Sequence, residues 1–354
     1  MNNILFIDNG QFGSLSVYYW SKYLCKKNNI HFFGRKGNKN YCKLDEVKII
    51  EYESLYKSKI LSYLSFLIKA ANYIKHNNFE LVIITYHRFC FLYKVINPFQ
   101  KMVLNVRTIG VNKTSIGRIM YNINLYFDSL FYNNISILDQ SIMKIIPKNR
   151  NIWIIPLGSD KMISKPKNYN DPAILYVGTF NRGNIDEMIR GINLYFEKSQ
   201  NPCDVYIIGD GLEYIEKKLN YLISSLRYRN YYHIEGRKNY NELVEYFDKC
   251  NIGISWVPIT NYYNNQPPTK TYEYINSGLI CVATATEKNK EIINKSNGIL
   301  CLDNKESLAE ALETVISNMG NYEYDKITSN YKKTSWEYIV DNYVDPMIQY
   351  IIDN

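Results

Sequence analysis

The sequence predicts an α/β fold that is divided into two domains of similar plan. The chain has 354 residues, of which 46% are hydrophobic and 21% charged, so it is long for one domain and can bury two sizeable cores. Residues 3–7 (NILFI) are typical of a buried strand, and a loop with two glycines and then a helix follow them. The same order restarts at residues 174–177, where a second apolar strand leads into Gly178 and another helix. Strand, glycine loop and helix open a Rossmann-like unit, so we expect two Rossmann-like domains.

The boundary between the two domains is predicted in a polar linker. Residues 161–172 are mostly polar and contain two prolines, which is typical of a connecting segment. We therefore assign residues 1–165 to an N-terminal domain and residues 166–335 to a C-terminal domain. The chain then ends in a predicted helix, residues 336–352, that is rich in apolar and aromatic side chains.

Two candidate site residues follow predicted strands of the N-terminal domain. His87 comes after the strand at residues 81–85, and Arg107 comes directly after the strand at residues 102–106. Groups at the carboxyl ends of parallel strands point into the crevice where doubly wound sheets bind ligands. Each residue also has a structural interpretation, His87 as a helix cap and Arg107 as a member of an ion pair. Further strands of this domain are predicted at residues 31–33, 47–50, 135–138 and 153–155.

The loop after the first strand contains Gly10 and Gly13. Glycines at this place let a ligand approach the backbone closely. Their spacing is not the G-x-G-x-x-G of a dinucleotide site, and they could equally serve as turn glycines.

Residues 56–76 are predicted to form a basic, aromatic and amphipathic helix. Leu61, Leu64, Leu67 and Ile68 share one side of it, and several lysines and tyrosines are interspersed. Such a helix can lie on a membrane surface or simply pack on the sheet, and both interpretations stay open.

The C-terminal domain has three strands that end in loops suited to a phosphate ligand or to a simple turn. The loop from Gly178 contains Arg182, whose guanidinium could donate two parallel hydrogen bonds to a phosphate. The next two strands end at Gly209 and at Gly236, and Arg237 follows the latter. A solvated Arg182 and ordinary turn glycines are the structural alternatives. The strands that follow the first are predicted at residues 205–208, 232–234 and 252–256.

The most informative stretch is residues 266–284, QPPTKTYEYINSGLICVAT. Thr269 is a plausible N-cap for a helix that begins near Lys270 and ends at Gly278, a typical C′ residue. Residues 279–283 then have the composition of a buried parallel strand.

Lys270 and Glu273 lie three residues apart, so they share one face of this helix. A cation near a helix N-terminus does not help the helix, because the macrodipole already supplies positive charge there. The position makes sense if an anion such as a diphosphate binds beside it, with Glu273 accepting hydrogen bonds from a ribose diol. The simpler interpretation is a surface ion pair.

The net charge of +8 is divided unequally along the chain. Residues 1–168 carry 24 Lys and Arg against nine Asp and Glu, and the remaining residues carry 18 against 25. Such an asymmetry suggests that the N-terminal half meets an anionic partner. No recognised nucleic-acid-binding motif is present, which leaves an anionic membrane surface or a solvated basic face.

The composition also bears on redox state, metals and location. The seven cysteines form no C-x-x-C pair, and the four histidines join no metal-ligand grouping, so we expect reduced thiols and no metal site. The N-terminus lacks the pattern of a signal peptide, and no apolar run approaches the roughly 20 residues that span a bilayer. We expect a cytoplasmic protein that contacts the inner face of the cell membrane at most peripherally.

Pro268, Lys270, Glu273, Tyr274 and Gly278 resemble the Pro-x-Lys-x-x-Glu-Tyr-x-x-x-Gly segment of family 4 GT-B glycosyltransferases. The similarity is greatest to members that build bacterial capsule and O-antigen repeats, and it extends to the Pro-x-Gly-x-Asp pattern at residues 156–160. The resemblance implies two Rossmann-like domains that face each other across a cleft, with a C-terminal helix, residues 336–354, crossing back to the first. It further implies a donor site for a nucleotide-diphosphate sugar in the C-terminal domain and an acceptor site in the N-terminal domain.

The resemblance also implies roles for individual residues. Glu273 would bind the ribose, and Arg182 and Lys270 the diphosphate, whereas His87 and Arg107 would lie beside the reacting sugar. The loop glycines and Arg237 would border the donor, and the implied donor-binding set is Gly13, Gly178, Arg182, Gly209, Arg237, Asn265, Gln266, Lys270 and Glu273. The sequence departs from the family at Asn265, where members often carry a second Glu that contacts the donor sugar.

These observations predict a glycosyltransferase that moves a sugar from a nucleotide-diphosphate sugar to a glycan or a polyprenyl-diphosphate-linked acceptor. The family retains anomeric configuration, and the absence of any Asp-x-Asp pair favours a reaction without a metal. No cofactor and no nucleic acid are expected. Two alternatives stay open: a non-catalytic sugar-nucleotide-binding partner of a glycan assembly complex, and a Rossmann oxidoreductase.

Overall fold

The computed structural model describes residues 1–37, 44–111, 114–182 and 184–354. Contacts divide the chain into two units, each with its own parallel sheet and hydrophobic core. The first unit consists of Met1–Leu157 together with Trp336–Asn354, and the second of Gly158–Ser335. The first unit is therefore built from both ends of the chain.

The first unit contains a seven-stranded parallel sheet in the order β3-β2-β1-β4-β5-β6-β7. The central strands are apolar along their whole length because helices cover both faces of the sheet, as the sequence predicted. The strands are β1 Asn3–Asp8, β2 Asn29–Arg35, β3 Val47–Tyr52, β4 Leu81–Thr85, β5 Met102–Val106, β6 Asn134–Ile137 and β7 Asn151–Ile154. The helices between them are α1 Leu15–Leu24, α2 Lys59–Lys75, α3 Phe91–Ile96, α4 Ser115–Ser129 and the 3₁₀ turn Gln140–Lys144.

Helices α2, α3 and α4 lie on one face of this sheet, because right-handed crossovers that run in opposite directions along a sheet put their helices on opposite faces. Helix α1 connects β1 to β2 in one direction, whereas α2, α3 and α4 connect β3 to β4, β4 to β5 and β5 to β6 in the other. Phe66 of α2, Tyr93 of α3 and Leu125 of α4 accordingly belong to one buried cluster with Leu5 and Ile7 of β1. Helix α1 packs on the other face.

The second unit repeats this plan with a six-stranded parallel sheet in the order β10-β9-β8-β11-β12-β13. Its strands are β8 Ala173–Val177, β9 Asp204–Ile208, β10 Tyr232–Gly236, β11 Ile252–Ser255, β12 Ile280–Thr284 and β13 Gly298–Cys301. Its helices are α5 Ile185–Ser199, α6 Glu213–Ser224, α7 Tyr240–Lys249, α8 Thr269–Asn276, α9 Glu287–Ile292, α10 Lys305–Ser317, α11 Tyr324–Ile327 and α12 Tyr331–Thr334. Three 3₁₀ turns complete it, Phe180–Arg182, Arg229–Tyr231 and Met319–Asn321.

In both sheets the strand order reverses beside the first strand, between β1 and β4 and between β8 and β11. Doubly wound sheets bind ligands outside the carboxyl ends of the strands at such a switch point. Gly13 and His87 follow β1 and β4 at the first of these places, and Gly178 and Lys270 follow β8 and β11 at the second. Arg107, Gly209 and Arg237 follow strands that lie further from the switch points.

The chain ends in helices that pack in the first unit. They are α13 Trp336–Ile339, the π-helical segment Val340–Val344 and α14 Asp345–Asp353. The Trp336 ring stacks on Tyr19 of α1 at 5.1 Å between centroids. The helix was predicted and its π-helical turn was not. Pro346 accounts for that turn, since it lacks an N–H and its ring crowds the preceding turn.

The described part of the chain holds six cysteines, all free, and Cys42 lies outside it. Among the described residues, no helix is both long enough and apolar enough to traverse a bilayer.

Candidate functional site

Helix α8 follows β11, one of the two strands that border the switch point of the second sheet. The helix begins at Thr269, and Pro268 occupies the N-cap position with φ −84° and ψ 114°. The prediction that Thr269 is the N-cap was therefore wrong by one residue. Proline takes the position because its fixed φ suits the residues that flank a helix start, and its own backbone has no N–H to satisfy.

The C-terminus of α8 is as predicted. Gly278 adopts φ +77°, which a residue with a side chain rarely tolerates. The Leu279 N–H donates to the Tyr274 carbonyl and the Gly278 N–H to the Ile275 carbonyl, both at 2.9 Å. This pair of hydrogen bonds is a Schellman motif, and it ends the helix directly before β12.

Tyr274 fastens α8 to the sheet. Its ring is fully buried, and its hydroxyl accepts a hydrogen bond from the Val177 N–H at the end of β8. A Cβ at Gly253 of β11 would collide with the ring, so that glycine provides the space it needs. The tyrosine of the motif thus has a packing function and positions the helix for its neighbours.

A second anchor holds the first turn of α8. The buried Thr271 hydroxyl donates to the Asn289 side-chain oxygen at 2.8 Å and accepts from the Ser255 hydroxyl at 2.7 Å. The Asn289 amide in turn donates to the Thr284 carbonyl. A buried network with every partner satisfied fixes the orientation of the helix start.

Lys270 projects from this first turn toward the loop after β8. Its Nζ lies 4.2 Å from the centroid of the Tyr176 ring, a cation–π contact, and 2.8 Å from the place where a Cβ of Gly178 would be. Any side chain at Gly178 would therefore displace the ammonium. Lysine and glycine loop together form a positively charged corner at a helix N-terminus, which suits an anion.

Glu273 lies one turn further along α8, and its carboxylate is half-buried. No residue in the described part of the chain donates a hydrogen bond to this carboxylate. Burial raises the pKa of Glu273 to about 7, and the charge of Lys270 acts in the opposite direction. A half-buried carboxylate that the fold leaves without a donor is suited to accept hydrogen bonds from a ligand.

We expect the raised pKa of Glu273 to appear in the pH dependence of stability. The carboxyl has an ordinary pKa of 4.5 in the unfolded chain and about 7 in the folded one, so the folded state binds more protons between these values. Its contribution to stability is complete below pH 4.5 and is lost as the pH rises through 7. Glu273→Gln removes this loss, so the variant should gain on the order of 2 kcal/mol over the wild type between pH 5 and pH 8.

Thermal unfolding of both proteins at the two pH values measures this difference. Glu245→Gln is the matched control, since that carboxylate lies on the exposed surface of α7. If the difference in stability between Glu273→Gln and the wild type is the same at both pH values, the Glu273 carboxyl is not desolvated.

Two glycine loops run side by side next to Lys270. The Gly178 N–H donates to the Ile208 carbonyl at 2.9 Å, and the Gly209 N–H donates to the Gly236 carbonyl at 2.9 Å. A Cβ added to Gly209 would collide with the Gly178 carbonyl oxygen. The structure therefore brings Gly178, Gly209, Lys270 and Glu273 into one region, and only glycine fits at the contact of the two loops.

The predicted donor site includes two arginines, Arg182 and Arg237. Arg182 ends the 3₁₀ turn Phe180–Arg182, and its side chain lies outside the described residues. Arg237 is exposed and pairs with Asp210, the residue after Gly209, at 3.3 Å. An exposed pair of this kind is weak, so Arg237 is available to a ligand that approaches the same loop.

Asn265 and Gln266 lie in the loop that leads into α8, the former exposed and the latter half-buried. Two hydrogen bonds position this loop: the Ile259 N–H donates to Asp303 at 2.9 Å, and the Glu287 N–H donates to the Asn264 side chain at 2.9 Å. Sequence reasoning did not identify Asp303 and Asn264 as the residues that position this loop.

In the first unit, His87 follows β4 and is half-buried, with both ring nitrogens bonded within the unit. Nδ1 lies 2.8 Å from the Thr85 carbonyl and Nε2 lies 2.9 Å from the Tyr93 hydroxyl. Because a carbonyl can only accept, Nδ1 carries the proton and Nε2 accepts from Tyr93. Burial lowers the pKa of His87 to about 4, so the ring is neutral at physiological pH.

Sequence reasoning missed two charged residues near His87. Asp8 at the end of β1 accepts hydrogen bonds from the Gly10 N–H and the Ser14 hydroxyl, and its charge raises the pKa of His87. Arg35 at the end of β2 binds the Asn9 side chain at 2.8 Å, and its charge lowers that pKa. The three residues are far apart in sequence, and only the order of the strands brings them together.

Arg107 and Gly13 occupy separate places in the first unit. The Arg107 guanidinium donates to the Ile155 carbonyl at 3.1 Å and lies over the Trp20 ring at 5.6 Å. Burial lowers its pKa to about 9, which still leaves it charged at neutral pH. Gly13 takes φ +115° in the loop after β1, a conformation that favours glycine. The Gly10 carbonyl of the same loop accepts from the Arg35 N–H.

Within the described ranges, no three His, Cys, Asp or Glu side chains are grouped as metal ligands would be.

Solved structures of the same fold cover essentially the whole chain. A sucrose-phosphate synthase from Thermosynechococcus elongatus has a TM-score of 0.74 at 13% identity, with 100% of both chains covered. Anabaena HepE in complex with UDP and glucose has a TM-score of 0.71 at 14% identity, covering 100% of this chain and 99% of that one. The apo form of the lipopolysaccharide outer core galactosyltransferase WaaB has a TM-score of 0.67 at 15% identity, covering 98% and 99%. These likenesses identify the fold as GT-B and confirm the predicted fold class.

The family follows from the sequence of the second unit. Residues 159–334, nearly all of that unit, match the family model of glycosyl transferases group 1. The chain therefore belongs to the group 1 glycosyl transferases and is a glycosyltransferase, as predicted. No curated protein matches the chain. The family favours glycosyl transfer over the oxidoreductase alternative.

Proposed function

We propose that the chain transfers a sugar from a nucleotide-diphosphate sugar to a hydroxyl of a glycan or a polyprenyl-diphosphate-linked acceptor in the synthesis of a cell-surface polysaccharide. One observation carries the proposal. Lys270 and Glu273 project from one helix start next to two touching glycine loops, and Glu273 has no hydrogen-bond donor among the described residues.

The donor would lie along α8, where positive groups of the second unit would balance the negative charge of its diphosphate. Lys270, the α8 N-terminus and Arg182 would face the diphosphate, where the charge of the leaving group develops. Glu273 would accept hydrogen bonds from the ribose diol, and Arg237 would border the base. Asn265 and Gln266 would bind sugar hydroxyls in place of the Glu that family members often carry.

The transfer would retain anomeric configuration and proceed without a metal. The cations proposed for the diphosphate would supply the stabilisation that a divalent ion would otherwise provide. Among the similar structures, Anabaena HepE binds UDP and glucose, which supports a nucleotide-linked donor. WaaB is a lipopolysaccharide galactosyltransferase, which supports a cell-surface product.

The first unit would present the acceptor. His87 and Arg107 are the candidates at the reacting sugar, and Asp8 and Arg35 join His87 at the same sheet edge. For His87 to bind a sugar hydroxyl through Nε2, that hydroxyl must take the place of the Tyr93 hydroxyl. We further propose that the basic N-terminal half contacts an anionic membrane surface from the cytoplasmic side, where lipid-linked acceptors are available.

Thermal unfolding with a panel of UDP-, GDP- and dTDP-sugars, each with and without EDTA, tests the donor proposal. At a hundredfold excess over Kd the true donor adds about 2.7 kcal/mol, which corresponds to a rise in Tm of about 5–10 °C. We expect one base to dominate, the shift to persist in EDTA, and Glu273→Gln to lose it. Identical melting with every nucleotide would contradict the proposed donor site.

A non-catalytic sugar-nucleotide-binding role is the second candidate, because Asn265 stands where the family often has a Glu. Turnover of the stabilising donor with extracted lipid-linked acceptor distinguishes the two. A binder would show the thermal shift and no transfer.

A further inference from the structure

Helix α4 of the first unit carries its apolar stripe on the side that faces solvent. The exposed fractions are 76% for Ile116, 58% for Ile119, 50% for Met120, 56% for Ile123 and 49% for Phe127. The spacing of three and four residues puts these side chains within about 120° of arc around the helix.

The side of α4 that packs on the sheet is mostly polar. Its buried residues are Leu125, Asp128 and Ser129. A surface helix of a globular protein normally has the reverse arrangement, with the apolar stripe inward. Core packing therefore does not account for the apolar stripe of α4.

The stripe continues across neighbouring elements as one surface. Ring contacts lead from Tyr63 of α2 to Phe89 at 6.4 Å, from Phe89 to Phe91 at 6.4 Å, and from Phe91 to Phe127 of α4 at 5.4 Å. Helix α2 adds four exposed apolar side chains, Ile60, Leu61, Leu64 and Ile68. We call the exposed apolar residues of α2, of α4 and Phe89 the apolar face.

The helix predicted at residues 56–76 corresponds to α2, which has one side buried against the sheet and another side exposed. Leu61, Leu64 and Ile68 are exposed, whereas Leu67, which was predicted to share their side, is buried with Phe66. One side of α2 packs on the sheet, and another side belongs to the apolar face.

Phe89 is held in the apolar face by an unusual backbone. Its φ is +64°, which is rare for an aromatic residue, and its side chain is 43% exposed. The buried Asp128 carboxylate accepts hydrogen bonds from the Phe89 N–H at 3.0 Å and the Phe91 N–H at 3.1 Å. The Tyr63 hydroxyl also donates to the Arg88 carbonyl. The fold thus uses a buried acid to keep an aromatic ring outward.

The charge around the apolar face is mostly positive. Its acidic neighbours are Glu51 and Glu53, which line one pocket with Lys69, and Glu53 is paired with Lys36. Residues 54–131 contain ten Lys and Arg but only two acidic residues, Glu80 and Asp128. Asp128 is buried, and Glu80 lies at the start of β4, where it accepts from the Asn3 N–H. Exposed cations on or next to the face include Lys57, Lys59, Lys69 and Arg88.

We propose that the apolar face of α2 and α4 is an interfacial surface that lies on an anionic lipid bilayer. A basic, apolar and aromatic helical surface buries its apolar side chains at the headgroup boundary while its cations attract anionic lipids. A symmetric dimer through the same face would bring two positive surfaces together, which disfavours a second copy as the occupant. The inference rests on the proposed membrane contact of the N-terminal half and names the surface that makes it.

Flotation of the full chain with lipid vesicles tests the proposal. We expect the wild type to float with vesicles of phosphatidylglycerol and phosphatidylcholine, and much less with phosphatidylcholine alone. Ile119→Ser with Ile123→Ser should lower the partition coefficient at least about tenfold, because two half-exposed side chains lose their burial in lipid. Tyr214→Ser with Tyr221→Ser, which removes two exposed rings from α6 of the second unit, is the matched control and should float as the wild type does.

A charge variant tests the second part of the argument. Lys59→Gln with Lys69→Gln should lower partition onto the anionic vesicles about thirtyfold, since each cation near an anionic surface contributes roughly fivefold. The same variant should change binding to pure phosphatidylcholine little.

Three results would overturn the proposal. They are no flotation of the wild type with anionic vesicles, unchanged flotation of the Ile119→Ser, Ile123→Ser variant, and a wild-type dimer without vesicle binding that this variant converts to monomer. The last result would assign the face to a second copy of the chain. The nucleotide-sugar thermal shift is measured without lipid, so it tests the donor site separately from the membrane surface.

Discussion

Glu273→Gln is expected to lower kcat/KM for sugar transfer about a hundredfold while leaving the fold intact. The proposed ribose contact is a hydrogen bond to a charged group, and such bonds contribute about 1.5–3 kcal/mol. Glutamine keeps the shape but offers one acceptor oxygen and adds a donor beside the diol. The fold should be unaffected, because no described residue donates a hydrogen bond to this carboxylate. Initial rates with the stabilising donor and the extracted acceptor measure the effect.

The control for this variant is Glu245→Gln on α7, which removes an exposed carboxylate paired with Lys249 and should leave transfer unchanged. A Glu273→Gln enzyme with wild-type kcat/KM would remove Glu273 from the donor site. Loss of activity together with a large drop in Tm at pH 5 would instead assign the residue a structural role.

Gly209→Ala should destabilise the second unit by about 3 kcal/mol, or lower its Tm by about 10 °C, and abolish the donor-induced shift. Its Cβ would collide with the Gly178 carbonyl oxygen, so one of the two loops has to move. Overpacking a tight contact costs about 1–3 kcal/mol, and the positive φ adds to this. The displaced Gly178 would in turn disturb Lys270, whose Nζ lies against it.

Gly236→Ala separates collision from backbone strain. Gly236 also has a positive φ, +64°, but nothing lies within 4 Å of the place where its Cβ would be. We expect this variant to lose only about 1 kcal/mol. Equal losses in the two variants would mean that the contact between the glycine loops is not tight.

Much of the framework could be predicted because burial determines it locally. The central strands of both sheets are apolar on both faces, and this pattern is visible without any knowledge of partners. That Lys270 and Glu273 share one face of α8 was also predictable, because helical spacing alone determines it. Gly278 is a further case, because the end of α8 requires a positive φ there.

The features that were missed depend on which elements become neighbours. Asp8 and Arg35 end β1 and β2, and only the order of β1, β2 and β4 in the sheet brings them near His87, which follows β4. Helix α4 shows another limit, since apolar periodicity indicates a helix but does not tell which side meets the core. The Thr269 prediction was wrong because two residues in sequence compete for the same cap, and proline takes it.

The construction of the first unit from both ends of the chain has a consequence for how the protein is made. On the ribosome, residues 1–157 emerge first, yet their packing is incomplete until Trp336 reaches Tyr19. The second unit is continuous in sequence, so it can finish folding before the first unit has the C-terminal helices that complete its packing. A premature stop shortly before residue 336 would therefore spare the half synthesised later and harm the half synthesised first.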